Sequence, residues 1–366
     1  MKLKITKIDI LILIYIFTMI IVSLFTTGIQ GIIYGGRYDF AFLITYLIAY
    51  HGFVLLQKPI SYYIYLFLVS SGIMLFLSGL LKWPLTEDLL IYFGYSWNPS
   101  AWDFGGAPPI FHGIDGANVR RFQWILDNPN TMWAFVIIFS WLFAYFTRFR
   151  KEWYFVISII LIGLIGMVFY TYSRSALIGI VFAYAIVVLM SLRSLWVLYR
   201  AQLISVFLIL GLLVGSVGVL YYDRALAIVW RSGSTKWHAE RMKIGFERTH
   251  EHPFGQGLGS AWPAYRYVMN LKNKPVTDVV EMDRFYIPES WYIQQFIEWW
   301  IFGWVVFLIL MLSFFISLMI VHPILGATFA WVGMMNVFLH TFESSVVSLS
   351  LFLLIGLFIA NKNAHK

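Results

Sequence analysis

Long runs of apolar residues follow one another along this chain and restrict it to very few folds. The runs at 61–81 and 153–172 each hold about 20 residues without a charged side chain, the length of a helix that crosses a bilayer. Apolar residues make up 60% of the sequence and charged residues 12%, which is more apolar surface than a soluble domain can bury. A membrane β-barrel would alternate apolar and polar residues, and these runs do not alternate. The sequence therefore predicts an all-α, polytopic membrane protein.

The apolar runs predict about ten transmembrane helices within a single integral membrane domain, residues 1–366. We place the spans at 8–27, 38–57, 61–81, 129–147, 153–172, 175–192, 201–221, 291–320, 324–341 and 344–360. Two long loops, 82–128 and 222–290, separate some of these spans, and the second is expected to contain helices of its own. The first run is too long for a secretory signal and no cleavage site follows it, which predicts an uncleaved first span.

The distribution of Lys and Arg predicts that both termini face the cytoplasm. In that orientation the cytoplasmic segments carry 11 Lys and Arg residues and the short outer segments carry 5, in line with the positive-inside rule. The loop at 222–290 is left out of this comparison because long loops cross the membrane largely regardless of charge; with it, the outer total is 15. Both long loops are therefore expected on the extracytoplasmic side.

The residue composition excludes several kinds of chemistry. The sequence contains no cysteine, which excludes disulfides, thiolate catalysis and cysteine-bound metal clusters. His250 and His252 flank Glu251, but no third ligand follows at the spacing of a zinc site, so we predict no metal. The net charge of +8 is small for this length and indicates cytoplasmic loops near anionic lipid, not nucleic-acid binding.

Charged residues concentrate in the second long loop. Residues 221–291 hold 10 of the 26 Lys and Arg residues and 8 of the 18 Asp and Glu residues. Because charges are sparse elsewhere, this loop is the first place to expect chemistry. The loop at 82–128 is instead rich in Gly, Pro and aromatic residues, which are typical of structure at the membrane interface.

A helix is expected in the middle of the second loop. Residues 234–235, a Ser and a Thr, can accept the first backbone N–H groups, and Pro253 ends the helix near His250. One face of that helix would carry Trp237, Arg241, Ile244 and Arg248. The glycines within 255–259 follow no strand, so they predict a turn back onto the membrane and not a dinucleotide-binding loop.

Arg174 is the sole charged residue between Glu152 and Arg193 and lies where two apolar spans meet. An arginine at that depth costs roughly 3 kcal/mol unless a partner compensates its charge. One interpretation is an interfacial side chain that reaches toward lipid phosphate and has no further role. The alternative is an anion site for a lipid-linked phosphate, formed by the Ser-Arg-Ser turn at 173–175. Guanidinium suits such a site because it binds phosphate oxygens in pairs and stays protonated.

Two further places in the second loop leave a functional and a structural interpretation open. Arg241 and Arg248, with Lys243 near them, can face one extended anion, or they can line a solvated face of an amphipathic helix. Glu289 lies just before a span, among apolar and aromatic neighbours, where a carboxylate suits a general base. The structural alternative is that Glu289 or Ser290 caps the following helix.

These features occur in the order found in a known family. A loop end with the sequence Asp-Asn-Pro-Asn at 127–130 precedes the span at 129–147, and the Ser-Arg-Ser turn at 173–175 comes later in the chain, after the span at 153–172. The long loop then carries the arginine-bearing helix and the segment His-Pro-Phe-Gly-x-Gly-x-Gly at 252–259, and a polar pair stands before the aromatic-rich span at 289–303. In this order the chain resembles, over about residues 118–310, the bacterial O-antigen ligase and O-antigen polymerase superfamily.

The resemblance implies a GT-C-like glycosyltransferase of the bacterial inner membrane, with its active site facing the periplasm. It implies a glycan donor linked to undecaprenyl diphosphate, and neither a nucleotide sugar nor a metal as cofactor. Arg174 and Arg241 match the family's two arginines that hold the donor diphosphate, Arg248 is expected to assist them, and Glu289 matches the position of the catalytic base. Membrane lipid and a chain-length regulator protein are the expected partners. Further candidates for binding the acceptor or the glycan are Arg121, His252, Ser290 and Tyr292.

The polar pair separates two branches of this family. Ligases typically carry His-Asn there, whereas this chain carries Glu289 and Ser290. Glutamate at this position is familiar in polymerases, so we expect an O-antigen polymerase that joins lipid-linked repeat units by an inverting displacement. The alternative is a ligase that transfers the glycan to lipid A core or another acceptor. A lipid-glycan flippase is less expected, because it would need charges inside several spans and internally repeated broken helices.

Overall fold

The computed structural model describes residues 5–56, 58–81, 87–97, 107–114, 119–121, 123, 126, 128–147, 171–174, 232–250, 254–261, 264–268, 288–337 and 339–364. These residues are mostly helical, as the apolar runs predict. The spans predicted at 175–192 and 201–221, and all but two residues of the span predicted at 153–172, lie outside the described residues.

The helices are numbered here in chain order. Before the 82–128 loop stand α1 (Lys7–Phe25), α2 (Gly28–Asp39), α3 (Ala41–Leu56) and α4 (Ile60–Leu81), and α5 (Pro129–Thr147) follows that loop. The second loop contains α6 (Ser232–Arg248), which covers the segment for which the sequence predicts a helix, and the short α7 (Tyr265–Val268). The C-terminal part consists of α8 (Trp291–Val321), α9 (Pro323–Met335) and α10 (Ser345–Ala364).

Several helices have the length and composition of membrane spans. Within the described residues, four segments qualify: Lys7–Phe25, Ile60–Leu77, Ile301–Val321 and Ser345–Ala364. A fifth results if α2 and α3 form one crossing, with a 60° bend between them. The outer faces of these helices expose large apolar side chains, such as Phe17 on α1 and Phe76 on α4, which suits contact with lipid tails. The chain is therefore a membrane protein, and the total of about ten spans stays a prediction.

Two predicted spans differ in shape from straight membrane-crossing helices. The span predicted at 38–57 corresponds to α3, but α2, most of which precedes that span, leads into α3 through a 60° bend and can form one crossing with it. Phe40, at the break, has φ −139° and ψ −3°, which is not a helical conformation. The span predicted at 324–341 corresponds to α9, whose 13 residues extend about 20 Å and fall short of the ~30 Å hydrocarbon core.

The centre of the molecule is an aromatic core where α3, α8, α9 and α10 meet. The ring centroid of Phe42 on α3 lies 4.6 Å from that of Phe352 on α10 and 5.9 Å from that of Trp291 at the start of α8. Tilted and edge-to-face ring pairs of this kind add to the stabilisation from burial. The backbones of α3 and α10 come close at Gly356, where any side chain would collide with Tyr46. This core fixes the position of the α8 N-terminus.

A small hairpin in the first long loop departs from the all-α prediction. β1 (His112–Ile114) pairs antiparallel with β2 (Val119–Arg121). The buried side-chain amide of Gln123 accepts from the first strand and donates to the chain on either side of the hairpin. As neighbours on a strand point to opposite faces, Arg120 is exposed while Arg121 is half-buried.

Residues 254–261 form a non-helical segment between the α1–α2 junction and α8, and we call it the glycine segment; it is buried from Gly257 to Ala261, whereas Phe254 at its start is exposed. Each backbone N–H group from Gln256 to Ser260 has an acceptor. In chain order the acceptors are Ile297 O at 3.0 Å, Glu298 O at 3.0 Å, Ser23 Oγ at 2.8 Å, Glu298 Oε1 at 3.1 Å and Gly257 O at 3.2 Å. This pairing stabilises irregular backbone where no water is available to bind it.

Glycines allow this close packing. Gly255, Gly257 and Gly259 have φ values of +84°, +82° and +72°, a region that a Cβ atom disfavours. A side chain at Gly255 would collide with the backbone of Glu298 on α8, and a side chain at Gly35 of α2 would collide with the backbone of Gly259. The glycine segment is thus held between two helices at van der Waals distance.

We expect Gly255→Ala to destabilise the protein more than Gly94→Ala. Both positions have a similar positive φ, +84° and +86°, so both variants carry a backbone cost of about 1–2 kcal/mol. A side chain at Gly94 has nothing within 4 Å, whereas one at Gly255 must displace α8 backbone, which adds about 1–3 kcal/mol. Thermal unfolding of the detergent-purified variants, followed by tryptophan fluorescence, measures the difference; equal midpoints would show that the glycine segment is not packed as described.

Candidate functional site

The arginine-bearing helix α6 packs on the N-terminal end of α8 and the residues just before it. The contact is close at Gly245, where a Cβ atom would come within 2.8 Å of Pro288 Cβ and 3.0 Å of Ile293 Cγ2. Arg241 and Arg248 lie four residues before and three residues after Gly245, and both are buried. They therefore share the face that α6 turns toward the protein, and the interpretation as a solvated face does not apply to them.

Lys243 lies on the opposite, exposed side of α6. Its ammonium group is 3.8 Å from the carboxylate of Glu247, and these side chains are 77% and 63% exposed. The sequence grouped Lys243 with the two arginines, and the structure separates it from them. Helical periodicity explains the difference, because a residue two positions from Arg241 points about 200° away around the helix.

Glu289 occupies an unusual backbone conformation just before α8. Its φ is +57°, which is uncommon for a residue with a side chain and costs of order 1–3 kcal/mol. The next residue, Ser290, is the N-cap of α8, since its hydroxyl accepts from Ile293 N at 3.5 Å. This resolves the capping alternative in favour of Ser290, and the carboxylate of Glu289 is left for other contacts.

The carboxylate of Glu289 meets α6 at His238. His238 Nδ1 and Glu289 Oε2 lie 2.8 Å apart, with the side chains 34% and 18% exposed. The contact is an ion pair when the imidazole is protonated, and its angle is not that of an aligned hydrogen bond. His238 precedes Arg241 by three residues, which is just under one turn of α6. The helix that carries Arg241 thus also contacts the predicted base.

Arg248 connects α6 to the glycine segment. Its Nη2 donates to Gln256 Oε1 at 3.1 Å and to Ser260 O at 3.2 Å, and Gln256 Nε2 donates back to Arg248 O at 3.1 Å. These bonds fix the C-terminal end of α6 against the membrane helices. A role for Arg248 in binding diphosphate stays a prediction, whereas its internal bonds show a structural role.

Apart from the contacts of α6, a group of hydrogen-bonded polar residues lies at the Ser-Arg-Ser turn, and we call it the second cluster: Arg121, Asn130, Thr171 and Ser173. Asn130 Oδ1 accepts from Ser173 Oγ at 3.0 Å and from Arg121 Nη2 at 3.3 Å. Arg121 Nε donates to Thr171 O at 2.8 Å. The hairpin, the start of α5 and the Ser-Arg-Ser turn are therefore held together through one amide and one guanidinium, although the turn lies 43 residues or more from the other two bonded positions. Arg121 was predicted to bind glycan or acceptor, and the described contacts are with the protein itself.

Arg174 directly follows this cluster and is half-buried. Tyr172, two residues before it, has φ +49°. Among the described residues, Tyr172 and Glu289 are the two non-glycine residues with positive φ, and each lies within two residues of a predicted diphosphate-binding or catalytic residue. Backbone strain of this kind concentrates at functional sites. The approach of Arg174 to Arg241 and Glu289 stays a prediction.

The remaining predicted residues differ in how the structure places them. Ser290 is buried in its capping contact. The hydroxyl of Tyr292 donates to Gly333 O on α9 at 3.0 Å, so this contact is with the protein itself. His252 lies outside the described residues. No group of three or more His, Asp or Glu residues in the described part of the chain is arranged to hold a metal ion.

Three residues that form contacts within the candidate site were not predicted from the sequence: His238, Asn130 and Gln256. His238 lies within one turn of Arg241, and the helical spacing that grouped the arginines would have included it. Asn130 belongs to the Asp-Asn-Pro-Asn loop end at 127–130. It bonds to Ser173, 43 positions away, as well as to Arg121, 9 positions away. Residue spacing does not reveal a pair as distant as Asn130 and Ser173. Gln256 is hidden within a glycine-rich segment that was interpreted by its backbone alone.

Residues 159–308 match a family model described as O-antigen ligase. The matched range contains the Ser-Arg-Ser turn, α6, the glycine segment and the first part of α8. The match confirms the resemblance inferred from the sequence and indicates a glycosyltransferase-like membrane enzyme. None of the curated proteins and none of the solved structures matches the chain.

We expect Arg121→Lys to destabilise the second cluster and Arg120→Lys to leave it intact. Lysine cannot reproduce the two separate donors that reach Thr171 and Asn130, and loss of hydrogen bonds from a charged group costs about 1.5–3 kcal/mol. Arg120 is exposed and lies 4.4 Å above the ring of Phe111, a contact that lysine can keep. The unfolding midpoints of the two neighbouring variants should differ by several degrees; similar midpoints would mean that Arg121 does not hold the turn.

Proposed function

We propose that this chain is a surface-polysaccharide polymerase; the match of residues 159–308 to a family model described as O-antigen ligase supports a function of this kind. It transfers an undecaprenyl-diphosphate-linked glycan onto another lipid-linked repeat unit. The reaction takes place at the periplasmic face of the inner membrane, with both termini of the chain in the cytoplasm. One observation carries the proposal: the face of α6 that bears Arg241 packs beside Glu289, so a buried cation and a carboxylate lie at one end of α8.

The donor in this proposal is bound by fixed arginines. A lipid diphosphate carries negative charge at the membrane surface, and Arg241, which is 9% exposed, exerts its field where little water screens it. Arg174 supplies the second cation from the Ser-Arg-Ser turn. Guanidinium groups can bind phosphate oxygens in pairs and remain charged at any physiological pH. The proposed step therefore uses neither a metal nor a nucleotide.

The chemical step is a single displacement. Glu289 takes the proton from a hydroxyl group of the acceptor sugar, and that oxygen attacks the anomeric carbon of the donor glycan. The bond between this carbon and the diphosphate oxygen breaks, and the lipid diphosphate leaves with the electron pair. Arg174 and Arg241 stabilise the charge that builds up on the leaving group. Attack from the side opposite the leaving group inverts the anomeric configuration.

The polar pair favours a polymerase over a ligase. Glu289 and Ser290 replace the His-Asn pair typical of ligases, and Ser290 is occupied as the cap of α8. The description of the matching family model supports the second candidate, a ligase that passes the glycan to lipid A core or another acceptor. Both reactions use the same donor and the same base, and they differ in the acceptor. In the polymerase proposal a chain-length regulator protein is the expected partner.

We expect Arg174→Ala, Arg241→Ala and Glu289→Gln each to abolish long polysaccharide chains in a deletion strain of the source bacterium. Each change removes one group that stabilises the transition state, which lowers the rate by about 10²–10³. Gel separation of surface polysaccharide measures the chain lengths, and immunoblots of membranes measure the protein. Normal chain lengths in all three variants would contradict the proposed mechanism.

Matched controls come from the exposed side of α6. Lys243→Ala removes a cation two residues from Arg241, and Glu247→Gln removes a carboxylate from the same helix; both are largely exposed, so both variants should polymerise normally. The deletion strain separates the two candidates. Loss of a polymerase leaves single repeat units attached to the cell surface, whereas loss of a ligase leaves none attached.

A further inference from the structure

We propose that His238 is a positioning residue that holds the carboxylate of Glu289 toward the acceptor hydroxyl and ties this base to the helix that binds the donor. The inference rests on the proposed function and extends it to a residue that neither the motifs nor the family match singles out. It follows from the contact of 2.8 Å between His238 Nδ1 and Glu289 Oε2.

The chain around Glu289 is fixed on both sides, so its carboxylate has a restricted reach. Ser290 caps α8, and Trp291 N donates to Asn336 O at 3.0 Å. Pro288 packs against Gly245 of α6. With the backbone held at a positive φ, the side chain of Glu289 is directed to α6. His238 is therefore in place to select the orientation of its carboxylate.

The helix that carries His238 is also fixed. Arg248 attaches its C-terminal end to the glycine segment, and Gly245 allows its middle to touch Pro288 and Ile293. His238 and Arg241 lie on one side of α6, less than one turn apart. Any movement of α6 when a diphosphate binds at Arg241 would be passed to Glu289 through His238. Binding of the donor at Arg241 would then also align the carboxylate of Glu289.

In the catalytic step His238 keeps Oε2 of Glu289 occupied, so that Oε1 faces the acceptor. The proton from the acceptor hydroxyl passes to Oε1, and it leaves to water after the product departs. The imidazole keeps its own protons throughout. Catalytic hydrogen bonds often become aligned only when the substrate is bound, and the distance of 2.8 Å leaves the imidazole close enough to form one.

The test uses purified full-length protein and lipid-linked repeat units extracted from a deletion strain, which serve as both donor and acceptor. The variants are His238→Leu, which removes the nitrogen atoms, and His238→Asn, whose amide can donate from about the position of Nδ1. His250→Leu is the control, since His250 is an exposed residue at the end of α6. The release of undecaprenyl diphosphate gives kcat and KM, and thermal unfolding reports stability.

We expect His238→Leu to lower kcat by about 10²-fold, the effect of a misplaced reacting group, with KM and the unfolding midpoint nearly unchanged. His238→Asn should recover most of that loss, and His250→Leu should behave as wild type. In the Glu289→Gln background, His238→Leu should cause no further loss, because it acts through the missing carboxylate.

Other outcomes separate the two proposals. If Glu289→Gln is inactive but His238→Leu is normal, the positioning role is wrong and the proposed function stands. If His238→Asn is as inactive as Glu289→Gln, His238 is itself the base, which overturns the positioning role. If the wild-type protein releases no diphosphate from the extract, or Glu289→Gln is fully active, the proposed function and its base are wrong. A lowered unfolding midpoint that accounts for the loss of activity would make His238 a structural residue.

Discussion

Non-helical backbone buried among membrane helices is the constraint on which the rest of this structure depends. The glycine segment passes between α2 and α8, where unpaired N–H groups would each cost several kcal/mol, about 2–7 by transfer measurements. Its N–H groups use carbonyl oxygens of α8, a serine hydroxyl of α1 and the carboxyl group of Glu298. The segment can take few other positions, because these acceptors are fixed in rigid helices.

The position of the glycine segment determines that of α6. Gln256 is bound through its backbone to Ile297 of α8 and through its side chain to Arg248 of α6. A chain of direct hydrogen bonds therefore leads from the membrane helices to the arginine-bearing helix. At the other end of α6, the contact between His238 and Glu289 returns to α8. A loop helix outside the spans is thus anchored at two points, which holds Arg241 in a defined position relative to Glu289.

The sequence predicts the class of fold and much of the site, but not the way in which the parts meet. Apolar runs and the positions of Gly and Pro predicted helices close to α1, α4, α8 and α10, because such patterns are local. The bent pair α2 and α3 was missed, since the glycines and polar residues of 28–37 predicted a connection between two spans, and the polar contact that stabilises the break comes from α8, more than 250 residues away. Helical spacing placed Arg241 and Arg248 on one face. It could not show that Arg248 would be used by Gln256 and Ser260, because those bonds depend on a turn whose direction the sequence leaves open.

The break between α2 and α3 illustrates how distant polar residues support the site. Asp39 and Glu298 are fully buried, and the carboxyl group of each accepts a hydrogen bond from a distant part of the chain. Gln295 donates to Asp39 and accepts from the hydroxyl of Tyr15. A full charge at either carboxyl without such partners would be very unfavourable here. Glu298, three residues after Gln295 on α8, accepts from Gly259 N at 3.1 Å, so neighbouring residues of one helix stabilise both the break after α2 and the glycine segment. Replacing Glu298 by an apolar residue would leave the N–H group of Gly259 without this partner in a buried segment, which explains why a carboxyl group is tolerated at this position of α8.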